Sequence, residues 1–160
     1  MGALNIREAA LPHDLQAVRT LFVEYAESLD FSLCFQGFDD ELAELPGKYA
    51  PPAGRIWLAE AADGSLAGCV AVRPIGEQDA EMKRLYVRPD FRGRALGKQL
   101  ADRTVAFARE AGYAALRLDT IAETMAAAEG LYIAMGFVET APYYDNPVPG
   151  ATFYALDLTA

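Results

Sequence analysis

The stretch "FRGRALGKQLADR", Phe91 to Arg103, decides how this chain is read. It holds three arginines, one lysine and two glycines, and an apolar period begins partway through it. Leu100, Ala101, Thr104, Val105 and Ala108 follow at helical spacing, so a helix is expected to begin at Leu96 or Gly97 and to end near Gly112. A helix start carries about half a positive charge and free backbone N–H groups. The small residues Gly93, Ala95 and Gly97 let a phosphate approach that backbone, and Arg92, Arg94 and Lys98 add charge. The loop therefore reads as a strand-loop-helix turn that holds a diphosphate.

Two nucleotide motifs fail against it. A Walker loop needs four residues between its first Gly and its Gly-Lys pair, then Ser or Thr. Gly93 and Gly97 are separated by three residues, and Gln99 follows Lys98. The dinucleotide fingerprint needs G-x-G-x-x-G inside a parallel crossover. Here the loop reads "GRALG", and the strands before it form hairpins.

Outward from the loop, "LNIREA" is a first strand and "PHDLQAVRTLFVEYAESL" an amphipathic helix entered at Pro12. "FDDELAEL" is a short helix stopped at Pro46 and Gly47. "RIWLAEA", "LAGCVAVRP" and "AEMKRLYVRP" are strands, the first two joined through "ADGS". "ALRLDT" is a strand, "MAAAEGLYIAM" a helix stopped by Gly136, "FVET" a strand, "APYYDNPVPG" a connection and "TFYALDL" the last strand. That order makes one mixed α/β domain over residues 1–160.

Composition narrows the partners. A net charge of −9 argues against nucleic acid, whose phosphates demand a basic surface, and weakly favours a cationic substrate. Seven of the fourteen cations nevertheless fall between Lys83 and Arg103, a positive island that suits an anionic ligand. No apolar run of about eighteen residues is present, so no membrane partner is expected. "MGALNIREAALPHD" lacks the order of a signal peptide. Cys34 and Cys69 read as reduced, mostly buried thiols of a cytoplasmic protein, with no metal spacing.

The loop resembles that of the GNAT superfamily of N-acetyltransferases, of the form R/Q-x-x-G/A-x-G/A, with Arg92, Ala95 and Gly97 filling it. "LYIAMGF", Leu131 to Phe137, resembles the family's "LYxxxGF", and the order of elements agrees over nearly the whole chain. The chain departs from the pattern twice. Ala95 stands where most members carry Gly and restricts φ, and Met125 stands where many carry an Asn that touches the coenzyme A arm.

The resemblance implies a mostly antiparallel central sheet with one splayed strand pair, flanked by helices. It implies acetyl-CoA as cosubstrate, no metal, and direct transfer of the acetyl group to a primary amine of a small molecule or peptide. A homodimer through the late strands is allowed by it. "EMKRLYV" should part from "ALRLDT", leaving backbone of Leu85, Tyr86 and Val87 for the pantetheine arm. Arg92, Gly93, Arg94, Ala95, Leu96, Gly97 and Lys98 would hold the pyrophosphate. Tyr132 matches the family's general acid; a phenol of pKa about 10 protonates a thiolate of conjugate pKa about 8.5 uphill by about 2 kcal/mol. The alternative is that Tyr132 only packs the helix end.

Glu81 matches a Glu that some members use as base. A carboxylate of pKa about 4.3 needs burial or a relaying water to take an ammonium proton. A surface ion pair with Lys83 is the alternative, and many relatives use no dedicated base. Tyr143, Tyr144, Asp145 and Asn146 on the long connection are the acceptor-binding candidates, with Asp145 paired to an ammonium. His13 and the methionines read as structural, and Asp119 as a cap or a cleft residue. No Cys stands at the centre for a covalent route. A non-catalytic acyl-CoA-binding module is the rival reading; it would be indifferent to Tyr132→Phe.

Overall fold

The computed structural model describes residues 4–29, 32–33, 37–121 and 126–159. Cys34 and Met125 lie outside them. Seven strands form one sheet in the order β1-β2-β3-β4-β5-β7-β6. β1 (Asn5–Glu8), β2 (Arg55–Glu60), β3 (Leu66–Ile75) and β4 (Asp79–Val87) form an antiparallel run. β5 (Ala115–Ile121) lies parallel to β4, while β6 (Val138–Thr140) and β7 (Ala151–Asp157) return antiparallel. The mixed α/β order is as the sequence predicted, and the mostly antiparallel sheet is as the family resemblance implied.

Helices cover both faces. α1 (Leu15–Ser28) and α2 (Phe38–Glu44) pack on one, where Val18, Leu21, Phe22 and Phe38 meet Ile56, Leu58, Cys69 and Tyr86. α3 (Leu96–Glu110) packs on the other, setting Leu96, Leu100, Ala101, Val105 and Ala108 against Val70, Val72, Met82 and Leu118. α4 (Ala126–Ala134) adds Tyr132 to that second core. Each fully buried Leu contributes about 1.5–3 kcal/mol, so the apolar face of α3 alone fixes that helix on the sheet.

α1 starts later than Pro12. The Asp14 carboxylate accepts the Ala10 N–H at 2.6 Å and receives Arg7 Nη1 at 2.6 Å, so residues 11–14 close a turn before the helix begins.

Two backbone irregularities position the site. Cys69 faces Tyr86 and Ala71 faces Lys83, so Arg84 and Leu85 together oppose Val70. This β-bulge puts Arg84 at φ 62°. Ahead of it Ala80 and Met82 face α3; beyond it Leu85 and Val87 do, while Tyr86 faces α1. The second irregularity is the short β4–β5 pairing. Its register runs Asp79–Ala115, Ala80–Leu116 and Glu81–Arg117, and stops there. Beyond Glu81 and Arg117 the two strands part.

Candidate active site

The gap between the parted strands is a cavity of about 560 Å³. Met82 to Val87 form one wall and Leu118 to Ile121 the other. Arg92, Gly97, Leu131 and Tyr132 close it on the α3–α4 side, and Tyr25 of α1 with Leu29 just past that helix reach it from the opposite face. A ligand can therefore pass through the sheet, with its backbone contacts supplied by β4 and β5.

At the mouth stands the start of α3. Its cap residue Ala95 sits at φ 57°, ψ 22°, and no side chain caps the helix. Gln99 makes the first helical bond, to Ala95 O at 3.1 Å, which leaves the N–H groups of Leu96, Gly97 and Lys98 outside the ladder. The left-handed Ala95 costs about 1 kcal/mol that a Gly would avoid. Gly93, at φ 83°, takes the other left-handed position in the loop. A Cβ on Gly97 would meet only Leu131 Cδ2, at 3.9 Å, so the helix start is open to a ligand. Open N–H groups, a missing cap and a flexible approach fit a pyrophosphate.

The residues expected there contribute unequally. Arg92 is exposed, lines the cavity and donates Nε to Val87 O at 3.2 Å. Arg94 lies over the Phe91 ring at 5.4 Å, and Lys98 pairs with Asp102 one turn on at 2.8 Å. The Leu96 side chain is in the core, so only its backbone can serve. Leu85, Tyr86, Val87 and Gly97 line the cavity; Gly93 and Ala95 shape its entrance.

The positive island is not one surface. Arg84 is buried and grips Glu41 of α2, Nε to Oε2 at 3.0 Å and Nη2 to Oε1 at 2.9 Å. Arg88 grips Glu24 of α1 at 2.5 and 2.9 Å. These two cations tie α1 and α2 to β4 and the residue just after it, so of the island only Arg92, Arg94, Lys98 and Arg103 belong to the loop and α3.

Inside the cavity the Tyr132 ring packs against Phe137, with centroids 5.8 Å apart. Burial pushes its phenol above the ordinary tyrosine range. Its hydroxyl makes no hydrogen bond to another described residue.

Glu81 is buried and fully engaged. Oε1 accepts Arg73 Nε at 2.9 Å, Oε2 accepts the Tyr143 hydroxyl at 2.5 Å, and Lys83 Nζ lies 3.7 Å away. The ion pair with Lys83 exists, but in the interior rather than on the surface. Lys83 Nζ is also 3.7 Å from Asp119. Burial pushes the Lys83 ammonium down from its ordinary value, while Glu81 and Asp119 oppose that shift.

The Tyr-rich connection folds onto the same place. Tyr144 donates to Asp119, and Asn146 Nδ2 donates to the same carboxylate at 2.8 Å. Tyr143 and Tyr144 pack on Phe153 of β7, centroids 5.2 and 5.4 Å apart. Asp145 is exposed and lines neither cavity, unlike its three neighbours.

A second cavity of about 580 Å³ lies on the Glu81 side of the sheet. Its polar lining is Lys48, Arg73, Glu81, Lys83, Tyr143 and Tyr144. Lys83 lines both cavities, while its partner Asp119, with Asn146 beside Tyr144, lines the first. Sequence reasoning missed Lys48 and Arg73, for which it held no signal; alternation with Glu81 was the only pointer to Lys83. Among the described residues no group of three or more His, Cys, Asp or Glu could hold a metal ion, and no helix is long and apolar enough to cross a membrane.

A parted parallel pair with an uncapped helix start at its mouth defines an acyl-CoA N-acyltransferase fold. The profile of the Acetyltransferase (GNAT) family matches residues 15–137, and the chain belongs to that family. It is 40% identical to an uncharacterized N-acetyltransferase of Schizosaccharomyces pombe over 98% of this chain and 96% of that protein. Its structure is similar to that of a GNAT-family acetyltransferase of Staphylococcus aureus Mu50, with TM-score 0.79, 20% identity and coverage of 98% and 99%. It is also similar to Salmonella typhimurium yncA, solved with its cofactor acetyl-CoA, with TM-score 0.73, 21% identity and coverage of 98% and 94%.

Proposed function

We propose that this chain is an acetyl-CoA-dependent N-acetyltransferase that moves the acetyl group directly onto a primary amine of a small molecule or peptide. The observation that carries this reading is the parting of β4 from β5 beyond Glu81 and Arg117, with the open start of α3 at the mouth of the gap.

Bound there, acetyl-CoA supplies an activated acetyl group. The N–C bond forms as the C–S bond breaks; an ammonium acceptor loses two protons, one ending on sulfur and one in solvent. The chain's residues serve these changes by position. Free N–H groups of Leu96, Gly97 and Lys98, with Arg92, hold the pyrophosphate. The backbone of Leu85, Tyr86 and Val87 faces the arm and is placed to polarise the thioester carbonyl. The Tyr132 hydroxyl keeps its proton at neutral pH because burial opposes its ionisation, and it donates toward sulfur. Glu81 accepts the acceptor's proton by exchange with the Tyr143 hydroxyl, its closest partner.

The test pairs binding with turnover. The protein is melted with acetyl-CoA, CoA, ATP and NAD at equal excess; ligand at about a hundred times its dissociation constant adds about 2.7 kcal/mol. Acetyl-CoA should raise the melting point and ATP and NAD should not, and thiol release should then follow with an amine. No shift with acetyl-CoA, in protein free of co-purified CoA, overturns the reading.

A further inference from the structure

The second cavity has a charge opposite to that of the whole protein. Lys48, Arg73 and Lys83 face one carboxylate, Glu81, in its lining, whereas the chain carries a net charge of −9. Glu81 takes only Nε of Arg73, at 2.9 Å. The two terminal nitrogens of that guanidinium have no acceptor among the described residues. Lys48 is exposed and makes no ion pair among them. Even with Lys83 neutral, Lys48 and Arg73 outnumber Glu81.

The guanidinium edge matters as much as the charge. A planar pair of N–H groups matches the two oxygens of a carboxylate, the geometry for which Arg is best suited. Tyr143 and Tyr144 wall the cavity, and it shares the Lys83 side chain with the transfer cavity. An acceptor lying there can set its nitrogen beside Lys83, near Asp119 and Glu81, and its acid group against Arg73 and Lys48. A polyamine would bring further positive charge to a lining whose cations already exceed its one carboxylate.

Resting on the acetyltransferase reading, we propose that this cavity is a carboxylate subsite, and that the acceptor is a small amine carrying its own carboxylate, of the amino-acid class. This reverses the weak expectation of a cationic substrate drawn from overall acidity, because the field of the whole surface acts at long range and the lining acts at contact.

The experiment measures thiol release by the full chain with saturating acetyl-CoA and matched acceptors: L-phenylalanine against phenethylamine, L-lysine against cadaverine, L-glutamate, and spermidine. The best amino acid should exceed its decarboxylated partner at least ten-fold in kcat/KM. Lys48→Glu should erase most of that preference through KM, whereas Arg109→Glu, an equal charge change on an exposed residue of α3, should leave it intact. Preference for the decarboxylated amines or spermidine, no turnover of any amino acid despite acetyl-CoA binding, or an unmoved KM in Lys48→Glu would each overturn the subsite alone. Failure to bind acetyl-CoA would overturn the transferase reading with it.

Discussion

Arg84 and Glu41 join the bulge of β4 to α2 through two parallel bonds, Nε to Oε2 at 3.0 Å and Nη2 to Oε1 at 2.9 Å. Both side chains are nearly buried, and Phe38 lies under the guanidinium at 5.1 Å. Removing one partner strands a charge in the interior, which costs about 3–5 kcal/mol. Glu41→Gln should therefore lower the melting temperature by on the order of 10 °C. A fall under about 2 °C in a thermal scan would show that the pair does not hold α2 in place.

Tyr132→Phe keeps the ring that packs on Phe137 and removes only the hydroxyl. Thiol release should fall at least ten-fold and as far as the ~100-fold or more that a positioned proton donor contributes. The melting shift produced by acetyl-CoA should be unchanged. Equal turnover in the variant would leave Tyr132 as packing and return the non-catalytic reading to the front.

Gly97→Ala should move stability and binding in opposite directions. The new methyl meets only Leu131 Cδ2 at 3.9 Å, so the free protein gains about 0.5–1 kcal/mol from the lost freedom of Gly in a helix. The same methyl stands in the open first turn of α3. Acetyl-CoA titration should show weaker binding, by ten-fold or more, in a protein that melts slightly higher. Unchanged affinity would place the pyrophosphate elsewhere.

Asp14 gives the fold a pH dependence. The Arg7 hydrogen bond holds its carboxyl below the usual aspartate range, against the opposing effect of burial. A depressed folded-state pKa adds stability above the unfolded value, about 3.9, and that stability is lost as pH falls through the folded value. Asp14→Asn should cost about 2 kcal/mol at pH 7. The gap between variant and parent should close below about pH 4 in denaturant melts. A constant gap across pH would mean that the ionised form does not matter.

The loop from Arg92 to Gly97 and the strand before it were legible because they are local: small residues, a helix period and a strand period lie within one window, whereas the parting of β4 from β5 came from the family resemblance. Tyr132 was singled out by the resemblance of "LYIAMGF" to a family motif, and the fold sets it in the wall of the gap. The surroundings of Glu81 were not. Its partners Arg73 and Tyr143 stand eight and sixty-two positions away, and only the folded sheet brings them together. The cation-rich segment misled for a physical reason. Strand alternation and the bulge send Lys83 and Arg84 into the interior, so adjacency in sequence overstated the charge left at the loop.

The bulge at Arg84 means that β4 is counted in two frames. Glu81 and Lys83 belong to one parity and Tyr86 to the other, yet all three face the same side of the sheet. Three positions separate Lys83 from Tyr86, a spacing that regular alternation would place on opposite faces. Pairing both Arg84 and Leu85 in a regular ladder, with no bulge, would turn Tyr86 toward α3 and Leu85 toward α1, so the extra residue is what sets which side chains meet across the gap.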